Sequence, residues 1–140
     1  MKTTTMLATL ALGATVAFAG PAFAEKLKAT LDGKSETPPN TSAGIGTADI
    51  DYDAATKKLS WKVTYSGLTG PAVAAHFHGP APEGKAAPVM VGMKAPLDSP
   101  MTGSATLTDD QAKALTAGMM YFNIHTAANP GGEIRGQVTK

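Results

Sequence analysis

The chain of 140 residues has no cysteine. No disulfide can brace it, and no thiolate can serve as nucleophile or metal ligand. It also lacks a surplus of charge: one of its 12 basic residues is Lys2, and the other 11 match the 11 acidic ones once a leader is removed. No long-range field therefore draws it to nucleic acid or to an anionic membrane surface. Gly-x-Ser-x-Gly elbows, phosphate loops and dinucleotide fingerprints are missing too, which removes the commonest hydrolase and nucleotide-binding signatures. Histidine is scarce, with three in the whole chain.

The first 24 residues carry a short basic start at Met1-Lys2, an almost uncharged apolar run from Met6 to Ala19, and the small-x-small triplet Ala22-Phe23-Ala24. That order is the signature of a secretory signal peptide cleaved after Ala24. The expected mature protein is thus a single exported domain, residues 25–140, periplasmic or extracellular. Beyond it no run approaches the ~20 apolar residues of a spanning helix, so no membrane insertion is expected after cleavage.

Residues 25–140 are rich in Gly, Pro, Thr and Val, in short alternating runs broken by turn residues. This spacing predicts an all-β fold, an antiparallel Greek-key-like sandwich or barrel of about seven or eight strands. Lys26 to Leu31 alternates Leu27, Ala29 and Leu31 against Lys26, Lys28 and Thr30. Gly44 to Tyr52 and Leu59 to Tyr65 flank Asp53-Ala54-Ala55-Thr56-Lys57 and read as a hairpin, with Trp61 the largest inward anchor. Further strands are expected at Val73 to His78, Val89 to Met93, Gly103 to Leu107, Met119 to Thr126 and Gly132 to Thr139. One short helix follows Thr108, where Gln111 completes a capping box, Asp109 and Asp110 suit the positive end, and Gly118 suits the C-terminal stop. Leu115 and Ala112 are expected to face the sheet.

All three histidines fall in two strand-like runs, His76-Phe77-His78 and Tyr121-Phe122-Asn123-Ile124-His125. Residues two apart on a strand share a face, with α-carbons ~6.6 Å apart. His76 and His78 can therefore lean toward one ion while Phe77 points into the core. By the same parity Tyr121, Asn123 and His125 share a face. If the last strand pairs with this one, His125 faces Glu133, Asn123 faces Arg135 and Tyr121 faces Gln137. His76, His78 and His125 become candidate metal ligands on a polar face outside the core. Tyr121, Asn123, Glu133 and Arg135 become their outer partners, with Glu133 holding His125 in one tautomer. Three neutral imidazoles with an open position suit Cu(II) first and Zn(II) second. The structural alternative needs no ion: His76 and His78 tie down the Gly79–Pro88 loop, and Asn123 and Arg135 stitch the final hairpin.

Several motifs together resemble the CHRD family, the module first described in chordin and found in many exported bacterial proteins. They are Glu36-Thr37-Pro38-Pro39, Ser66-Gly67-Leu68, Ala75-His76-Phe77-His78-Gly79-Pro80-Ala81, Tyr121-Phe122-Asn123-Ile124-His125-Thr126 and Asn129-Pro130-Gly131-Gly132-Glu133-Ile134-Arg135-Gly136-Gln137. The resemblance implies a β-rich extracellular domain and names no protein partner. A second likeness is geometric: a His-x-His strand with a third His from a later strand is similar to the copper side of Cu,Zn superoxide dismutase. The chain lacks that family's zinc-loop histidines and disulfide cysteines. Three functions follow as expectations: a binding module with a three-histidine copper site and no turnover, a metal-dependent redox enzyme with Tyr121 or Arg135 as proton donor, and a metal-free interaction domain.

Overall fold

A computed structural model describes residues 23–140; residues 1–22, and with them nearly all of the expected leader, lie outside the described residues. The elements are β1 (Glu25–Asp32), β2 (Ile45–Asp53), β3 (Lys58–Ser66), β4 (Ala72–His78), β5 (Val89–Gly92), β6 (Met101–Thr106), α1 (Asp109–Thr116), β7 (Tyr121–Thr126) and β8 (Ile134–Gln137). All eight strands belong to one antiparallel sheet, ordered β5-β4-β7-β8-β1-β2-β3-β6. The sheet curls into a nearly closed barrel, as the alternating pattern predicts. Its curvature brings Trp61 on β3 against Phe77 on β4, with ring centroids 5.3 Å apart and edge to face.

Alternation decides which residues face inward. On β1 Leu27, Ala29 and Leu31 are buried, and the facing strands add Ala48, Ile50, Tyr52, Leu59, Trp61 and Val63. Outside, Lys28 opposes Asp49, which opposes Lys62, so the wet face of the same strands carries a ladder of alternating charge. The β2–β3 hairpin closes where Asp53 Oδ1 accepts from Ala55 N at 2.9 Å and Lys57 takes a left-handed φ of 58°. Phe122 stacks edge to face on Phe77 at 4.9 Å, and each such aromatic pair adds ~1 kcal/mol to what burial alone supplies.

The helix carries the capping box expected of Thr108 and Gln111, and Gly118 has a left-handed φ of 72° beyond its end. Its buried residues are Ala114 and Leu115, while Ala112 is only partly covered. Gln111 Nε2 also donates to Met90 O at 3.0 Å, which pins the helix to β5. The last strand is shorter than expected at both ends. Gly132 has a φ of 124°, and Glu133 N donates to Ile124 O although Ile124 already opposes Ile134. Two residues therefore face one, a bulge that turns Glu133 out of the row.

The turned carboxylate has its own task. Glu133 is fully buried and accepts from Ser42 Oγ at 3.0 Å, Thr69 N at 3.0 Å, Thr126 Oγ1 at 2.8 Å and Asn129 Nδ2 at 2.9 Å, as well as from Thr69 Oγ1. Three connecting segments are thereby tied to one anion. Burial pushes its acidity down, but these donors outweigh burial and hold the carboxyl at about 2.

The polar face of β4, β7 and β8 is not open to solvent as the sequence suggested. It lies beneath the 33–40 segment and the 79–88 loop, and His78, Asn123, Tyr121 and Arg135 are all buried there. The prolines of these covering segments carry no amide N–H, which leaves fewer donors to satisfy where they lie over the side chains.

Candidate metal centre

The His-Phe-His triplet on β4 sends Phe77 into the core and both imidazoles to the opposite, covered face. Pairing with β7 sets His76 opposite Asn123, His78 opposite Tyr121 and Ala74 opposite His125. Pairing of β7 with β8 sets Asn123 opposite Arg135 and Tyr121 opposite Gln137, the register read from the parity of the two runs. The three imidazoles consequently meet. Each offers one ring nitrogen such that all three lie within 4.8 Å of one another.

Each ring is held differently. His78 Nδ1 lies 2.9 Å from Ala87 O and Nε2 lies 3.0 Å from Asn123 Oδ1. Its ring stacks on Tyr121, centroids 4.8 Å apart and planes within 1° of parallel. Since β4 and β8 flank β7 on opposite sides, Tyr121 is sandwiched, with Arg135 Cζ 3.5 Å from the centre of its other face. His125 Nδ1 lies 2.9 Å from Pro130 O, where the β7–β8 connection curls back. Its Nε2 lies 3.0 Å from Asn123 Oδ1 and 3.1 Å from His76 Nδ1. His76 is half-buried at the rim.

Electrostatics follow from those contacts. The carbonyls of Ala87 and Pro130 only accept, so the Nδ1 atoms of His78 and His125 carry protons. In neutral rings both Nε2 atoms then present lone pairs, and both aim at Asn123 Oδ1, itself an acceptor. His76 adds a third ring nitrogen. The point where they converge is rich in lone pairs and poor in donors, an arrangement completed by a proton or a metal cation. Protons are disfavoured at two of the rings. Burial, then the neighbouring imidazoles, lowers the pKa of His76. Burial lowers that of His78 against the opposing pull of Ala87 and Asn123, with His125 and the Arg135 cation adding to the depression.

Of the expected outer partners, Asn123 touches two of the imidazoles and Tyr121 stacks on one. Tyr121 Oη is also engaged with Ala87, accepting from its N at 3.1 Å and donating to its O at 3.3 Å. Glu133 does not meet His125: the bulge carries it into the Ser42, Thr69, Thr126 and Asn129 knot, and Pro130 O stands at His125 Nδ1 instead. Arg135 pairs with no carboxylate; Nη1 donates to Thr37 Oγ1 at 2.9 Å and Nη2 to Pro82 O at 3.4 Å. Part of the structural reading also holds, since His78 ties down the 79–88 loop through Ala87.

One residue escaped the sequence reading. Glu36 is only 5% exposed and lies against the far side of the Asn123 amide, with burial raising its pKa while Thr37, Asn123 and Arg135 partly pull it back. Its one local mark was its place in Glu36-Thr37-Pro38-Pro39, an irregular crossing segment whose prolines cannot join a ladder.

The family model described as the CHRD domain matches residues 27–138, which includes all three histidines and Glu36. No curated protein and no solved structure matches the chain. Among the described residues, no helix is long and apolar enough to cross a membrane.

Proposed function

The chain belongs to the CHRD-domain family, and from that premise we propose that it is an exported binding module whose His76, His78 and His125 hold one copper ion, with zinc as the runner-up. The observation that carries the reading is the meeting of lone pairs at Asn123 Oδ1, with His76 Nδ1 and His125 Nε2 3.1 Å apart. Two nitrogens bound to one ion at ~2.0–2.1 Å with an angle of ~100° stand about 3.1–3.2 Å apart, so this spacing suits a shared cation. Imidazole donors suit both metals, and the affinity order favours Cu(II).

Binding rather than turnover is supported by what surrounds the rings. The side chains expected to deliver protons are engaged, Tyr121 with Ala87 and Arg135 with Thr37 and Pro82. His78 is buried, and His76 and His125 are only partly exposed. A metal-free reading has one arrangement in its favour: reversing the Asn123 amide would let Nδ2 donate to both rings and satisfy them without an ion.

Isothermal titration of the metal-free mature domain with Cu(II) separates the two. One tight site in the wild type, lost in His78→Ala, supports the metal reading. Equal weak uptake by both proteins excludes it.

A further inference from the structure

The Asn123 amide stands between two groups that make opposite demands. On one side His78 Nε2 and His125 Nε2 each lie 3.0 Å from Oδ1. On the other lies Glu36, whose Oε1 is shut off from solvent with no well-aligned donor. The Asn123 side chain is its neighbour there and partly offsets the effect of burial on the carboxyl. Gly132 makes room for this approach: a Cβ there would overlap Glu36 Oε1 and lie 2.7 Å from Asn123 Nδ2.

An amide has an acceptor end and a donor end with two hydrogens. An ionised carboxylate only accepts, so it draws Nδ2 to itself and leaves Oδ1 to the rings. The Arg135 guanidinium, the nearby cation, directs its two hydrogen bonds to Thr37 and Pro82 and its face to the Tyr121 ring rather than to Glu36. We propose that Glu36 is the positioning residue of the three-histidine cluster: by fixing the Asn123 amide it keeps an acceptor facing His78 and His125. The inference rests on the metal reading above. In this orientation the two rings and Oδ1 require a positive charge between them. In the reversed orientation the two Nδ2 hydrogens serve one ring each, and the lone pairs a metal would use are capped.

The test joins Cu(II) titration with long-range 1H–15N spectra of the imidazoles in metal-free protein. Glu36→Gln keeps the shape of the side chain but can donate as well as accept, so the amide is free to turn. Cu(II) affinity falls about 10–100-fold, the usual cost of losing an outer partner. In metal-free Glu36→Gln the Nε2 atoms of His78 and His125 show the signature of lone pairs accepting hydrogen bonds from Asn123 Nδ2, a signature absent from the wild type, where Oδ1 faces them. Glu36→Gln/Asn123→Asp has oxygen at both ends of residue 123 and regains most of the affinity. If the wild type takes up no copper, the metal reading fails by itself; the ring spectra still uphold the role of Glu36 if they change in Glu36→Gln and overturn it if they do not. Unchanged copper affinity in Glu36→Gln, or a loss that the double variant leaves in place, also overturns it.

Discussion

His76 Nδ1 stands 3.1 Å from His125 Nε2 although 49 positions separate them in the chain. The two rings meet at 4.9 Å between centroids and 73° between planes. Of the cluster, His76 is only partly buried and is the ring with no bond to a covering loop or connection. His76→Ala should therefore leave stability within about 0.5 kcal/mol of wild type while lowering Cu(II) affinity by more than the ~100-fold ceiling for outer partners. His78→Ala should lower both, losing ~1–3 kcal/mol with the Ala87 contact and the Tyr121 stack. Denaturant unfolding beside calorimetric titration measures the two effects separately.

Acid should loosen the knot around Glu133. Its folded value of about 2 lies below the ordinary 4.5, so the unfolded chain binds the proton more readily. The stability this carboxylate confers is complete above pH 4.5 and drains as pH falls toward 2. The difference corresponds to ~3 kcal/mol. Unfolding free energy measured from pH 6 to pH 2 should fall in this window for the wild type, and Glu133→Gln should start lower at pH 6 and show a smaller decline.

Close approach of β8 to β1 depends on a missing side chain. A Cβ at Gly136 would overlap the Thr30 carbonyl and lie 2.9 Å from a Leu31 methyl. Backbone cannot yield as a flexible side chain can, so Gly136→Ala should cost ~1–3 kcal/mol or more. Gly70 has nothing within 4 Å of the same position, and Gly70→Ala should change the melting midpoint little.

The barrel interior turns on three rings. Phe77 is fully buried and lies edge to face with both Trp61 and Phe122. Phe77→Ala should cost ~3–5 kcal/mol. Since the same strand carries His76 and His78, copper affinity should fall with it under conditions where the variant is partly unfolded, and recover when the fold is rescued by a stabilising osmolyte.

Much of this architecture was legible in the sequence because it is local. Strand alternation around Leu27, Ile50 and Trp61, the Asp53–Lys57 hairpin and the Thr108–Gln111 cap each depend on residues a few positions apart. The parity of His76-Phe77-His78 against Tyr121 to His125 was enough to bring three imidazoles to one face. The pairing of Asn123 with Arg135 and Tyr121 with Gln137 was legible as well. Glu133 was misplaced because a single left-handed Gly132 shifts the register by one, and the alternation rule has no means of seeing an inserted residue. The covering of the polar face was missed for a different reason. Irregular segments such as Glu36 to Asn40 and Gly79 to Pro88 carry no period, so what they lie on is decided by distant partners. Asn40 illustrates this: its Nδ2 donates to Glu133 O across 93 positions at 2.9 Å.

The central claim is that three imidazoles share one cation, and diffraction from crystals of the copper-loaded domain at the copper absorption edge tests it most directly. The account predicts a single anomalous peak lying ~2.0–2.1 Å from a ring nitrogen of each of His76, His78 and His125. A peak elsewhere, or an Asn123 amide turned to donate to both rings with no peak between them, would contradict it.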